Sequence, residues 1–109
     1  MKRLAPLLLI AAVAAGCGEK HHQTAAERAK MENAFGLVQV NIGTVTKGSG
    51  PADETLMKQY TNDYVALTRK YAKDLGAAEV KKRLTDEVSQ VQPWCLPCGV
   101  ILLRESTKY

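Results

Sequence analysis

The residues best equipped for chemistry in this 109-residue chain are its three cysteines. A thiolate can attack a disulfide, bind a soft metal ion or accept a covalent group, and its surroundings decide which. Cys95 and Cys98 stand two residues apart within Trp94-Cys95-Leu96-Pro97-Cys98, a spacing used in redox and metal chemistry alike. Cys17 stands alone and closes a different kind of segment. Lys2 and Arg3 open that segment, Leu4 to Ala15 run apolar, and Ala14-Ala15-Gly16 sets small residues before the cysteine. The apolar run is far shorter than the roughly 20 residues that span a bilayer, and Pro6 interrupts it. It therefore reads as an export signal over 1–16 rather than a membrane span.

The layout ending in Ala14-Ala15-Gly16-Cys17 resembles the lipobox of bacterial lipoproteins, with Ala14 where the prototype carries Leu. The resemblance implies thioether lipidation of Cys17, cleavage before it, and a mature chain that starts at the lipidated residue. Acyl chains such as palmitate contribute on the order of 0.8 kcal/mol per buried methylene, so two or three of them hold a protein to a membrane permanently. The implied location is the cell envelope, with the membrane contacted through lipid on Cys17. Gly18 lacks the Asp that favours inner-membrane retention in Gram-negative lipoproteins, which favours the outer membrane where there are two.

Trp94-Cys95-Leu96-Pro97-Cys98 resembles the active-site motif of thioredoxins. That resemblance implies an attacking thiolate at Cys95, at a helix N-terminus, and a resolving thiol at Cys98. It covers five residues, and a helical pattern precedes the motif where a thioredoxin needs a strand. With Cys17 implied to carry lipid, two cysteines remain, and an exported protein oxidises such a pair. The expectation is a structural Cys95–Cys98 disulfide. A loop this small contributes about 2 kcal/mol. It would fix a local turn and press Trp94 and the Val100 to Leu103 run onto the fold. Thiol–disulfide exchange or metal handling by the same cysteines is the alternative.

His21 and His22 would complete a set of four zinc ligands by number. Adjacent histidines in a tether diverge, however, and the cysteines lie at the far end of the chain, so no metal or other cofactor is expected. The sequence holds no Ser-His-Asp arrangement with a supporting motif, no glycine-rich phosphate loop and no paired carboxylates in a recognisable setting. No catalytic residue is assigned. The chain's net charge of +4 falls to about +2 once Lys2 and Arg3 leave with the signal. So small a surplus, in that compartment, argues against a nucleic-acid partner. Arg69, Lys70, Lys73 and Lys81-Lys82-Arg83 form a basic region, but Asp86 and Glu87 follow Lys82 and Arg83 at i,i+4 and are expected to pair with them.

These residues need elements to position them, and the pattern is helical. After a lipidated tether over 17–23, residues 24–109 suffice for one small domain. Thr24-Ala25-Ala26-Glu27 has capping-box spacing, and Met31, Phe35, Val38, Ile42 and Val45 form one helical stripe to about Thr46. Lys47 to Pro51 reads as a turn, with Pro51 opening a second helix and Asp53 and Glu54 at its positive end. Met57, Tyr60, Tyr64, Leu67 and Tyr71 make a second stripe facing the first, with tyrosine hydroxyls at the rim. Gly76 closes or kinks that helix. A third runs from Ala77 to Gln92 on Val80, Leu84, Val88 and Val91 until Pro93 stops it. Val100 to Leu103 fits either a helical turn or a strand, and its apolarity predicts that it is covered.

The predicted fold is all-α, an antiparallel helical hairpin or small three-helix domain with a C-terminal CxxC turn. The predicted role is a non-enzymatic structural or protein-interaction module whose partner is an envelope protein, with a homo-oligomer also open.

Overall fold

A computed structural model describes residues 23–48 and 52–109. The signal 1–16, Cys17, His21, His22 and Pro51 lie outside the described residues. Five helices and no strands occur among the described residues: α1 Ala25–Thr46, α2 Glu54–Lys70, α3 Ala72–Leu75, α4 Ala77–Val91 and α5 Leu96–Ser106. The fold is all-α, and Val100 to Leu103 belongs to a helix. None of these helices is long and apolar enough to cross a membrane.

Local chemistry sets the helix starts. Thr24 Oγ1 accepts the Glu27 amide at 3.1 Å, while the Thr24 amide donates to Glu27 Oε1 at 2.9 Å, which completes the capping box. The second helix begins at Glu54, three residues beyond the expected Pro51. The reason is Asp53, whose Oδ1 accepts the Leu56 amide at 3.2 Å and so satisfies a free donor that proline's preset φ cannot. That helix ends at Lys70, and one further turn, α3, follows Tyr71. Gly76 therefore closes α3 rather than α2. Its φ of 84° and ψ of 152° are reached readily only without a Cβ, and they turn the chain back into α4.

The hydrogen bonds fix the helix directions. The chain reverses at Gly76 and Tyr64 donates to the Arg83 carbonyl at 3.3 Å, so α4 returns antiparallel along α2. Because α5 folds back along α4, it runs in the same direction as α2, and Arg69 near the end of α2 meets Glu105 near the end of α5. Helix α1 covers the other side of α2. Phe35 meets the Tyr64 ring edge-on at 5.4 Å and the Tyr71 ring at 6.2 Å.

The stripes of α1 and α4 are as expected at Met31, Phe35, Ile42, Val80, Leu84, Val88 and Val91, all buried, with Val38 and Val45 packed at the edge. The α2 stripe is displaced. Its buried line is Met57, Thr61, Tyr64, Val65 and Thr68, whereas Tyr60, Leu67 and Tyr71 are half-buried. The cause is that α2 is sandwiched. Tyr71 lies on the side that meets α1, and helical spacing turns Thr68, Thr61 and Val65 about 60 to 120° round the helix from it, toward α4 and α5.

Candidate functional site

The candidate site is the head of α5, where both cysteines sit. Residues 92–94 turn the chain, and the Val91 carbonyl accepts the amides of both Trp94, at 3.0 Å, and Cys95, at 2.8 Å. Cys95 is the N-cap of α5, and Pro97 occupies the first turn, where its missing N–H is harmless. Cys95 and Cys98 are joined as a disulfide with Cα atoms 5.2 Å apart. The Cys98 amide also donates to Cys95 Sγ at 3.2 Å, so one of the free donors at the helix head is directed at sulfur. Gly99 completes the turn. A Cβ there would lie 3.2 Å from Gln92 Cβ, so glycine lets α5 close tightly against the end of α4.

Both cysteines are inside the fold, Cys95 at 2 % exposure and Cys98 at 0 %. Trp94 is not pressed onto the bundle, as the sequence had suggested, but is 53 % exposed. The disulfide closes the inner side of the turn and leaves the indole facing out. Nor is the Val100 to Leu103 run covered throughout. Leu102 is buried and Ile101 partly so, while Leu96, Val100 and Leu103 are exposed. Spacing of four and three explains this. These three residues share the side of α5 opposite the buried Cys98, Leu102 and Glu105.

Glu105 belongs to that buried side, and two cations hold it ionised. Arg69 grips it with both ends of a fork, Nε to Oε2 at 2.9 Å and Nη2 to Oε1 at 2.8 Å, and Lys108 Nζ adds 3.0 Å to Oε1. The Arg69 hydrogen bonds lead in pulling the Glu105 carboxyl down to about 2. Tyr109 packs beside the same cluster, and burial pushes its phenol up.

The basic region is thus largely engaged. Lys82 pairs with Asp86 at 2.8 Å as expected, but Arg83 does not pair with Glu87. Its guanidinium instead binds Glu32 of α1 through two bonds, at 2.9 and 2.7 Å, and Glu79 at 2.9 Å, with the Phe35 ring 4.9 Å away. The Arg83 hydrogen bond lowers the Glu32 carboxyl. Glu87 lies on the apolar stripe of α4, turned inward to accept the Gln39 amide at 3.1 Å. Desolvation raises its carboxyl above the usual range, and it lines a polar cleft with Gln39, Thr46, Asp86 and Gln90.

Sequence reasoning passed over Glu87, Glu105, Thr61 and Thr68 as buried polar groups. Position could have flagged the two acids, since Glu87 follows Leu84 by three and Glu105 follows Leu102 by three. The threonines carry the same mark, since Thr61 follows Met57 by four and Thr68 follows Tyr64 by four. Among the described residues no cluster of three or more His, Cys, Asp or Glu could hold a metal ion. No protein-family model, curated protein or solved structure matches this chain.

Proposed function

We propose that this chain is an envelope lipoprotein, anchored through lipid on Cys17, whose helical domain acts as a non-enzymatic structural or protein-interaction module. The signal-like segment ending at Cys17 supports the address, with the outer membrane favoured in a two-membrane cell. The observation that carries the non-enzymatic part is the burial of the disulfide. Exchange requires a thiolate to reach one sulfur, and both sulfurs belong to residues at most 2 % exposed. In this reading the bond sets the α4–α5 turn. The face left for a protein partner is the outer side of α1, where Leu37 and Val40 are exposed beside Gly36 and Gly43.

A second reading, thiol–disulfide exchange, is favoured by one contact, the Cys98 amide donating to Cys95 Sγ at the head of a helix. The same geometry would stabilise a Cys95 thiolate. The reduction potential of the pair separates the two readings. The structural reading expects a value below about −300 mV, and a value between about −200 and −120 mV would establish exchange. For the interaction module, a photocrosslinker at Val40 in intact cells should give one discrete adduct that the same probe at exposed Lys58 does not. Identical patterns at both positions would remove the α1 face as a contact.

A further inference from the structure

We infer that the outer face of α5, made of Trp94, Leu96, Val100 and Leu103, lies on the surface of an anionic phospholipid bilayer. The inference rests on the anchoring reading and names the surface that the anchored domain turns toward the lipid. Three observations carry it.

The face is apolar, and an exposed tryptophan sits in the turn that leads into it. Leu96, Val100 and Leu103 occupy one side of a two-sided apolar helix, and Trp94 stands at its head. Tryptophan favours the boundary between headgroups and acyl chains, where its ring is buried and its N–H stays wet.

The charge that α5 itself carries beside this face has one sign. Residues 92–109 contain a single acid, Glu105, and it is buried beneath Arg69 and Lys108. Arg104, one turn from Val100, stands at the edge of this face, while Lys108 is exposed on the Glu105 side. An apolar stripe with Arg104 at its edge and the nearest acid withdrawn complements anionic headgroups.

The geometry also puts the face within reach of the anchor. Gln23, Glu27 and Lys30 at the start of α1 line a groove with Lys70, Tyr71 and Asp74. Arg69, next to Lys70, is bonded to Glu105, so the start of α1 and the last turn of α5 share one end of the bundle. Six residue steps from Cys17 to Gln23 span at most about 20 Å. The 11 residues of α5 rise about 16 Å. Because α1 and α5 lie on opposite sides of α2, the tether's length is comparable to the two inter-helix spacings of about 9 Å each between Gln23 and α5, so the anchor reaches lipid level at the Leu103 end of the stripe.

Trp94 is the only tryptophan in the chain and reports on this face directly. The full chain, isolated from the membranes of an expressing bacterium, is placed in vesicles containing about one third phosphatidylglycerol and a brominated phosphatidylcholine. Trp94 emission should shift to the blue and be quenched by bromine. Val100→Glu together with Leu103→Glu should reduce the quenched fraction roughly tenfold while helical circular dichroism is retained, because carboxylates resist leaving water and are repelled by the anionic surface. Water-like, unquenched emission from protein that floats with the vesicles and carries acyl mass at Cys17 overturns the inference and leaves the anchoring intact. So does a blue shift that appears without lipid and grows with protein concentration, which would assign the face to a second copy. A chain without acyl mass that fails to float overturns the anchoring reading itself, and this inference with it.

Discussion

Glu87 and Glu105 are equally buried, each at 4 % exposure on an otherwise apolar side of a helix, yet the molecule treats them in opposite ways. Glu105 joins α5 to α2 and has a forked arginine and a lysine, so its charge is favoured and its carboxyl falls to about 2. Glu87 joins α4 to α1 through one amide of Gln39, with Asp86 as its charged neighbour, and its carboxyl is raised by desolvation. Burial alone does not say whether a carboxylate strengthens a fold. What it meets there decides the sign. The α2–α5 junction pairs the carboxylate it buries, whereas the α1–α4 junction, which pairs Arg83 with Glu32, leaves Glu87 to one neutral amide.

The strongest way to break this contrast is Glu105→Gln, which removes the charge that Arg69 and Lys108 hold. Urea unfolding at pH 7 should show a loss of about 2 kcal/mol, held to that size by solvent screening at the exposed Arg69. A carboxyl lowered in the folded state stabilises above its unfolded value of 4.5, so the gap from wild type should narrow from pH 4.5 toward pH 2 and close below it. A gap that persists in acid would mean that packing, not charge, sets the role of Glu105.

The opposite sign is expected for Glu87→Gln. A raised carboxyl costs stability while ionised, so the neutral amide should gain about 1 kcal/mol at pH 7, with Gln39 still donating to the new side chain. The gain should disappear below the unfolded value of 4.5, where both states of the wild type are protonated. Loss of stability at pH 7 would show that the Glu87 charge has a partner after all. A smaller effect sharpens the comparison with a group that has no charge. The Thr61 hydroxyl is fully buried and accepts and donates nothing among the described residues, so Thr61→Val should raise the thermal midpoint by the equivalent of about 0.5–1 kcal/mol.

Much of the fold was legible because it depends on local chemistry. The Thr24 capping box, the Val80 to Val91 stripe and the reversal at Gly76 need only neighbours in sequence. What escaped reading depends on contacts far along the chain. The α5-facing side of α2 is lined partly by Thr61 and Thr68, and threonine does not register as an apolar stripe even when fully buried. Arg83 was expected to bond its i+4 neighbour Glu87, but Glu32, 51 residues away, offers a bidentate partner. At the candidate site the pairing of Cys95 and Cys98 was readable, and the outward aim of Trp94 was not. That aim follows from which side of the turn the disulfide closes, a three-dimensional matter.

The Arg83 arrangement has a dynamic consequence. Helix α1 is held by three fully buried side chains, Met31, Phe35 and Ile42, and by polar links through Glu32 and Gln39. The remaining helices, by contrast, close on one another through Tyr64, Arg69, Glu105 and the disulfide without its help. The longest of the described helices is thus expected to open before the other four, and hydrogen exchange should show its amides less protected than those of α4; equal protection would show that the five open together.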